Sequence, residues 1–164
     1  MKTQKVWLVT GASKGLGLSL VKKLLSEGYQ VAATSRTLQG LEKALGQHPG
    51  LLALEVDLLS EESVGNAIDQ TVARWGSIDV VVNNAGYGQL GTLEELGDKE
   101  ARANFDTNVF GALNVIRKAT PYLRQQQSGI VINIASIGGL TGDFPGWGVY
   151  CATKFAVVGF TEAL

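Results

Sequence analysis

The sequence predicts an α/β fold, a doubly wound parallel sheet with helices on both faces that makes three αβα layers. Two observations lead to this prediction. Short apolar runs alternate with segments of helical apolar spacing along the chain, and alternation at this rhythm requires right-handed parallel crossovers. No linker, repeat or low-complexity segment interrupts the pattern, so residues 1–164 are expected to form one domain.

Five apolar runs are expected to be the strands. Each is bounded by polar residues or glycine, as buried parallel strands often are. They lie at Val6–Thr10, Val31–Ser35, Leu51–Val56, Ile78–Val82 and Gly129–Ile134.

Apolar residues at helical spacing predict helices between these strands, at Leu16–Glu27, Leu38–Leu45, Glu61–Trp75 and Lys99–Gln126. Ser60 is the expected N-cap of the third. The fourth is either two helices or one helix broken near Asn108. A last helix is expected to begin near Tyr150 and to continue through Leu164, because no glycine or cap ends its apolar pattern.

Composition and charge narrow the classes of function. A net charge of -1 and an isoelectric point near 5.8 argue against nucleic acid or a membrane surface as partner. Cys151 is the only cysteine, which excludes an intramolecular disulfide and a cysteine-based zinc site. We interpret it as a packing residue and expect no metal site and a cytosolic protein. His48 is the only histidine and lies in a turn, so Ser-His hydrolase chemistry is improbable.

A glycine-rich segment directly follows the first expected strand and opens the first helix. Glycines there let the backbone turn sharply and approach a pyrophosphate, while the helix N-terminus offers unpaired N–H groups. The spacing is Gly-x-x-x-Gly-x-Gly, and no Gly-Lys-Ser/Thr follows as in a Walker loop. Its place between strand and helix favours a Rossmann-type dinucleotide site over an ordinary turn. The residues assigned to it are Gly11, Ser13, Lys14, Gly15, Leu16 and Gly17.

The end of the second strand indicates which nicotinamide cofactor is bound. A site for NAD(H) usually carries Asp or Glu there, to bind the ribose 2'-hydroxyl. The chain reads Thr34-Ser35-Arg36 instead. Arg36 could form a fork with a 2'-phosphate, helped by Lys14 in the glycine loop. The alternative is that both are solvated surface charges. The pattern favours NADP(H) over NAD(H).

Tyr150 and Lys154 are four residues apart, so a helix places them on one face. A free tyrosine has a pKa of about 10 and is a poor base at neutral pH. A positive charge about 4 Å away is worth roughly 4 kcal/mol at an effective dielectric near 20, enough to make a phenol a working acid–base group. The alternative is a packed ring beside a solvated lysine.

The sequence resembles the short-chain dehydrogenase/reductase family over essentially its whole length. The motifs that carry the resemblance are the glycine loop, Asn83-Asn84-Ala85-Gly86, Ser136 and the Tyr150/Lys154 pair, in the family's order. The resemblance implies hydride transfer between NADP(H) and a small carbonyl or alcohol substrate.

The resemblance also implies roles for individual catalytic residues. Tyr150 would be the acid–base group, with Lys154 supporting it and holding the nicotinamide ribose. The Ser136 hydroxyl would bond the reacting oxygen. Asn108 would break its helix and position a water that leads to the lysine, although an exposed polar helix residue is the default interpretation.

Further cofactor contacts follow from the same resemblance. Asp57 would contact the adenine ring, with Leu58 beside it; the alternative for Asp57 is an acidic turn residue that leads a helix. Asn83, Ala85 and Gly86 would lie along the cofactor ribose and tie the central strands together.

Substrate contacts are expected from the segment between Ser136 and Tyr150. Leu140, Thr141, Phe144 and Trp147 are candidates for an apolar pocket wall, or are ordinary packing residues. By resemblance, we expect a homodimer or homotetramer, and a further C-terminal part with a substrate-covering segment.

Two other classes of protein compete with an enzyme of this family. A non-catalytic NADP(H) sensor would be expected to lack the serine, tyrosine and lysine set. A methyltransferase on a similar sheet normally carries an acidic residue where this chain has Ser35 and Arg36.

Overall fold

Five parallel strands form one sheet with the spatial order β3-β2-β1-β4-β5. The computed structural model describes residues 4–164, so residues 1–3 of the expected domain lie outside the described part. The strands are β1 (Val6–Val9), β2 (Gln30–Ser35), β3 (Leu51–Glu55), β4 (Val80–Asn83) and β5 (Ile130–Asn133). Because the strand order reverses between β1 and β4, a crevice opens there at the carboxyl edge of the sheet.

Within the described residues, six α-helices connect or follow the strands. They are α1 (Gly15–Ser26), α2 (Leu38–Leu45), α3 (Glu61–Trp75), α4 (Asp98–Phe105), α5 (Gly111–Gln126) and α6 (Gly148–Glu162). A π-helical segment, Asp106–Phe110, joins α4 to α5, and a 3-10 turn, Ile137–Gly139, precedes α6. The fold class inferred from the sequence is confirmed.

The hydrophobic core forms two layers because strand side chains alternate between the two sheet faces. Leu8 of β1 points to one face and packs with buried residues of α3 and α5, including Ile68 and Val115. Val9 points to the other face and packs with α1 and α2 through Val21 and Leu41. These two layers hold the carboxyl ends of β1 and β4 in fixed positions.

Local sequence signals set several helix boundaries. The Ser60 hydroxyl accepts a hydrogen bond from Ser63 N at 3.1 Å and caps α3, as predicted. The last helix differs from its prediction: it begins two residues before Tyr150, at Gly148, and ends at Glu162. The earlier start follows from Trp147, whose carbonyl accepts a hydrogen bond from Cys151 N and opens the first turn.

No helix among residues 4–164 combines the length and the apolar character that a membrane crossing requires.

Candidate active site

The glycine loop forms a tight turn in front of α1. A Cβ atom on Gly11 would lie 2.8 Å from Ala85 Cα, and one on Gly17 would clash with Asn84 Nδ2 and lie 2.5 Å from the Gly11 carbonyl oxygen. Gly15 differs, because its φ is +56° and no protein atom lies within 4 Å of the place its Cβ would occupy. Two glycines therefore permit close packing, and the third leaves open space in front of the helix N-terminus.

That N-terminus is free to receive an anion. Lys14 is the N-cap of α1 and makes no side-chain capping bond, so the first N–H groups of the helix lack a capping side chain. Its side chain is exposed, as is Leu16, which has 63% of its surface accessible. The open space, the helix dipole and the lysine charge together make a site for a phosphate group.

Two polar residues that were not assigned from the sequence, Thr10 and Asn84, hold the loop against the end of β4. The Thr10 hydroxyl accepts hydrogen bonds from Asn84 N and Ala85 N, both at 3.1 Å. Asn84 Nδ2 donates to the carbonyl oxygens of Thr10 at 2.8 Å and Gly11 at 3.1 Å. The only sequence signal for Asn84 was its place in the Asn-Asn-Ala-Gly motif, where we had assigned its neighbours.

Arg36 and Lys14 are brought to the same edge of the sheet. Both side chains are exposed, and neither takes part in an ion pair among the described residues. Ser13 lies against the start of α2, since its Cβ is 3.7 Å from the place a Cβ on Gly40 would occupy. The glycine loop therefore lies beside the element that follows Arg36.

A carboxylate also lies at this edge, where the sequence pattern had indicated none. Glu55 of β3 is the register partner of Ser35, and its Oε2 accepts a hydrogen bond from Leu38 N at 3.0 Å. Glu55 thus caps the start of α2, where negative charge is favourable. Its charge is directed at the helix and not left free.

Asp57 and Leu58 take structural positions at the end of β3. Asp57 Oδ1 accepts a hydrogen bond from Leu59 N at 2.9 Å, and Asp57 N donates to Ser63 Oγ at 3.1 Å. This is the turn arrangement that was the alternative to an adenine contact. Leu58 packs against the core on one face of the sheet, and its carbonyl oxygen accepts from Asn114.

Asn83 links the two central strands at their carboxyl ends. It is buried, and its Nδ2 donates to Asn133 Oδ1 of β5 at 2.8 Å. Asn133 in turn donates to Thr161 Oγ1 of α6 at 2.9 Å. The expected tie between strands is present, whereas the Asn83 amide points into the protein.

Gly86 marks a close approach of the catalytic candidates. A Cβ atom there would lie 2.9 Å from Asn108 Oδ1 and 3.9 Å from Lys154 Nζ. A side chain at position 86 would therefore displace the Asn108 amide.

Asn108 lies in the π-helical segment, as the predicted break in the long helix required. Its side chain is buried and makes three hydrogen bonds: Nδ2 donates to Tyr87 O and Thr153 Oγ1, and Oδ1 accepts from Tyr87 N, all at 3.0 Å. Thr153 Oγ1 donates onward to Tyr150 O at 2.7 Å. The Asn108 side chain therefore fixes the backbone around Tyr87 and Tyr150. A π-helical segment inside an α-helix is frequently found at a functional site, and this one contains Asn108.

Ser136 is placed next to α6 by two glycines. The Ser136 hydroxyl caps the 3-10 turn by accepting from Gly138 N at 3.2 Å. A Cβ on Gly138 would lie 3.0 Å from Cys151 Sγ, and one on Gly139 would lie 2.7 Å from the Lys154 carbonyl oxygen. This contact brings Ser136 alongside the turn of α6 that carries Tyr150 and Lys154. Cys151 is buried in that contact.

Tyr150 and Lys154 face each other along α6. Lys154 Nζ lies 5.8 Å from the centroid of the Tyr150 ring and donates a hydrogen bond to the Ile134 carbonyl oxygen at 2.7 Å. Burial lowers the pKa of the Lys154 ammonium, because the charge is withdrawn from water. None of the ion pairs among the described residues involves Lys154. The arrangement places an uncompensated cation beside a phenol.

The loop after β4 and the loop before α6 contact each other, since Gly91 N donates to the Gly146 carbonyl oxygen at 2.9 Å. Between them lies a cavity of about 310 Å³. Leu93, Phe144 and Pro145 contribute apolar side chains to it, and four glycines contribute backbone. Leu140 is largely exposed outside it, and Trp147 lies against Tyr150 with 37% of its surface accessible. Leu93 had no signal in the sequence, because its loop carries no motif.

Comparison with known proteins shows the family of the chain. The family described as short chain dehydrogenase matches residues 5–164. The chain belongs to this family. The resemblance inferred from the motifs is confirmed.

Relatives within the short-chain dehydrogenase family include named reductases. The chain is 39% identical over 160 residues to the 3-ketodihydrosphingosine reductase of Bacteroides thetaiotaomicron, covering 98% of this chain and 57% of that protein. It is 36% identical over 168 residues to a 3-oxoacyl-(acyl-carrier-protein) reductase of Staphylococcus aureus, covering 99% of this chain and 68% of that protein.

Solved structures of the family have the same fold. A short-chain dehydrogenase from Streptomyces avermitilis superimposes with a TM-score of 0.93 at 36% identity, over 99% of this chain and 60% of that one. ElxO with NADP bound superimposes with a TM-score of 0.91 at 31% identity, over 98% of this chain and 66% of that one. The chain thus spans 57–68% of the length of these relatives.

Proposed function

We propose that the protein is an NADP(H)-dependent oxidoreductase that interconverts a carbonyl compound and its alcohol, with Tyr150 as the acid–base group. The observation that carries the proposal is the buried Lys154 ammonium, which has no carboxylate partner among the described residues and lies 5.8 Å from the Tyr150 ring. A buried charge left without a counter-ion is costly, and such a cost is typical of functional sites.

The residues present fit a dinucleotide. The open space at Gly15 and the uncapped N-terminus of α1 suit a pyrophosphate. Lys154 retains donors beyond its bond to Ile134 and suits a ribose hydroxyl. The other assigned contacts are Gly11, Ser13, Leu16, Gly17, Asp57, Leu58, Asn83, Ala85 and Gly86. When bound, the nicotinamide supplies or accepts the hydride.

Preference for the phosphorylated cofactor rests on Arg36 and Lys14. Both are exposed at the edge where an adenosine ribose would lie, and neither is paired with a carboxylate in the described residues. The carboxylate that is present, Glu55, is engaged with Leu38 N. The NADP-bound ElxO structure is consistent with this assignment in a relative.

The chain's own residues move one proton. In the reduction, the Tyr150 hydroxyl gives its proton to the carbonyl oxygen, and the Lys154 ammonium stabilises the phenolate that remains. The Ser136 hydroxyl donates a hydrogen bond to the same oxygen and stabilises its developing charge. Asn108 holds the backbone of Tyr87 and Tyr150 in place. The oxidation runs through the reverse steps.

The substrate is proposed to be a neutral, apolar carbonyl compound or alcohol. Leu140 and Phe144 are the proposed contacts from the loop before α6, and Leu93 from the loop after β4. Trp147, also a candidate from the sequence, lies against the Tyr150 ring and does not line the cavity between these loops. The side chains that line the cavity between these loops are mainly apolar, with Asp143 its one charged member. Hydrophobic walls with few polar groups are typical of sites for apolar ligands.

Replacement of Tyr150 by phenylalanine tests the proposal. The Tyr150→Phe variant keeps the ring and its packing but loses the proton, so turnover of ketones with NADPH should fall by about 10²- to 10⁴-fold. Its affinity for NADPH, measured by fluorescence titration, should stay near that of the unmodified protein. Ser136→Ala should reduce kcat in the same way but less. Unchanged turnover in Tyr150→Phe would overturn the assignment, and NADPH binding with no consumption by any ketone or aldehyde would favour the sensor.

A further inference from the structure

An aromatic side chain that the proposed mechanism does not use lies directly against the proposed acid–base group. The ring of Trp147 is 5.6 Å from that of Tyr150, centroid to centroid, with an interplanar angle of 68°. This edge-to-face arrangement is a favourable geometry for two aromatic rings. Trp147 lies three residues before Tyr150 and Lys154 four residues after it. The Tyr150 ring thus has an indole one helical turn behind it and an ammonium one turn ahead.

The Trp147 indole packs against Gly88, which lies in the loop after β4. We call this contact point on Gly88 the seat of the indole. Trp147 Cζ3 lies 2.7 Å, and Cη2 3.3 Å, from the place that a Cβ on Gly88 would occupy. Real Cβ atoms do not approach a ring carbon this closely, because the two would overlap. Gly88 is not one of the glycines with a positive φ. A glycine is therefore needed here for space and not for backbone conformation.

The seat itself is anchored. The backbone of Tyr87, the residue before Gly88, donates from N to Asn108 Oδ1 at 3.0 Å. Its carbonyl oxygen accepts from Nδ2 of both Asn104 and Asn108, each at 3.0 Å. Asn104 and Asn108 are fully or almost fully buried. The segment under the indole therefore cannot retreat without breaking buried hydrogen bonds.

Further contacts join the loop after β4 to the loop before α6, at the residues on either side of Trp147 in sequence. Gly91 N donates to the Gly146 carbonyl oxygen at 2.9 Å. Leu90 Cδ1 lies 3.3 Å from the place of a Cβ on Gly146, and Leu93 Cδ2 lies 3.0 Å from that of a Cβ on Gly148. Each loop thus presents apolar side chains to glycines of the other, and Trp147 on Gly88 belongs to this set.

We propose that Trp147 is a positioning residue that holds the Tyr150 ring in place beside Lys154, and that Gly88 is the seat that fixes the indole. This inference rests on the proposed function, because it gives the indole a purpose only if Tyr150 transfers a proton. Trp147 would act through Tyr150 in the turnover of every substrate. A wall of the substrate pocket would instead act on KM and would depend on the size of the substrate.

Four variants of the intact protein test the proposal: Trp147→Ala, Trp147→Phe, Gly88→Ala and the double variant Gly88→Ala/Trp147→Ala. Loss of the aromatic contact should lower kcat of Trp147→Ala by about 10-fold for small and large ketones alike. KM for NADPH should not change. Trp147→Phe should restore most of kcat, because phenylalanine can still pack edge to face against the tyrosine. A change confined to KM, or one that grows with substrate size, would overturn the positioning role and favour the pocket wall.

The double variant tests the seat. Gly88→Ala should lower kcat about as much as Trp147→Ala does, whereas adding it to Trp147→Ala should change kcat less than about 2-fold, because the indole it displaces is gone. Equal losses in both backgrounds would overturn the seat. The near-ultraviolet circular dichroism of Gly88→Ala should change as Trp147 moves; this signal does not depend on activity. If Gly88→Ala alone fails to fold, recovery of folding in the double variant supports the seat, and failure of both overturns it.

Turnover by the unmodified protein and by Trp147→Ala separates the proposed function from the positioning role of Trp147. Absence of turnover by the unmodified protein would overturn the proposed function and, with it, the positioning role. Turnover by the unmodified protein that Trp147→Ala leaves intact would overturn the positioning role alone.

Discussion

Lys154 Nζ lies 5.8 Å from the centroid of the Tyr150 ring, one helical turn away. Lys154 is 7% exposed, and within residues 4–164 its amine has a single hydrogen bond, to the Ile134 carbonyl oxygen. The protein therefore keeps a desolvated cation next to a phenol, with no counter-ion in the described part of the chain. Such a group contributes unfavourably to stability and is retained for another reason.

Replacement of this lysine by methionine should separate stability from activity. Lys154→Met keeps the length of the side chain and removes the buried charge, so the free energy of unfolding should rise by about 1 kcal/mol, or about 2–4 °C in thermal midpoint for a chain of this size. Turnover with NADPH should fall by at least about 100-fold. Lys22→Met, at an exposed site in α1 with no ion pair among the described residues, is a control that should not stabilise the protein.

The stabilisation by Lys154→Met should depend on pH. Burial lowers the pKa of Lys154 in the folded protein, whereas the unfolded chain has the ordinary value of 10.5. Between these two values unfolding takes up a proton, so the stability of the unmodified protein rises with pH through that window. The advantage of the variant is therefore largest at neutral pH and shrinks as the pH approaches about 10.5. Urea unfolding at several pH values measures it, and a constant difference would contradict the assignment.

Gly15 and Gly17 should respond differently to the same substitution. In Gly17→Ala the new Cβ meets Asn84 Nδ2 and the Gly11 carbonyl oxygen, so stability should fall by about 1–3 kcal/mol. In Gly15→Ala the new Cβ meets no protein atom within 4 Å, and the cost is the left-handed backbone alone, about 1 kcal/mol.

For NADPH binding we expect the opposite order: Gly15→Ala, the variant that loses less stability, should lose more affinity. Gly15→Ala places a methyl group in the space before α1 and should weaken NADPH binding by at least about 10-fold while the protein remains well folded. Isothermal titration and thermal unfolding of both variants measure the two effects. Unimpaired binding in Gly15→Ala would show that the cofactor does not occupy this space.

Local signals made much of this site predictable. The glycine loop, the Ser60 cap and the Tyr150/Lys154 face depend on residues within a few positions of one another, where backbone geometry fixes the spacing. The end of α6 could not be predicted, because no residue type near Glu162 marks it.

Contacts between distant segments had no signal in the sequence. The seat of Trp147 on Gly88 joins residues in two loops whose crossing depends on the whole sheet. The same holds for Thr10 with Asn84 and for Glu55 with Leu38 N. Glycine, threonine and glutamate at these positions are ordinary loop or strand residues until the fold brings their partners near. Sequence patterns therefore predicted the glycine loop and the shared face of Tyr150 and Lys154, and missed the residues that support them.

Asn108 in the π-helical segment and Asn104, one turn earlier in α4, can be compared by the same substitution. Asn108 makes three hydrogen bonds, whereas Asn104 makes one, and its Oδ1 has no partner among the described residues. Asn108→Ala should cost about 2–4 kcal/mol, because it leaves the Tyr87 N–H unpaired and removes a donor from the Thr153 hydroxyl oxygen. Asn104→Ala should cost less than half of this. Denaturant unfolding of both variants decides the point, and equal losses would mean that the cavity and not the hydrogen bonds sets the cost.

The choice between NADPH and NADH should depend on Arg36. A guanidinium fork to a 2'-phosphate is a charged hydrogen bond, so Arg36→Asp should lower the ratio of kcat/KM for NADPH to that for NADH by about 10- to 100-fold. The new carboxylate would also repel the phosphate and accept a bond from the 2'-hydroxyl of NADH.

Arg74→Asp provides the control for Arg36→Asp. Arg74 lies in the last turn of α3, hence toward the opposite edge of the sheet, and its replacement makes the same change in net charge. The ratio should stay within about 2-fold of the unmodified protein there, because exposed charges more than about 10 Å apart are largely screened at moderate salt. A shift of equal size in both variants would mean that net charge sets the preference. An unchanged ratio in Arg36→Asp would remove Arg36 from the cofactor site and leave Lys14 as the remaining candidate for the 2'-phosphate.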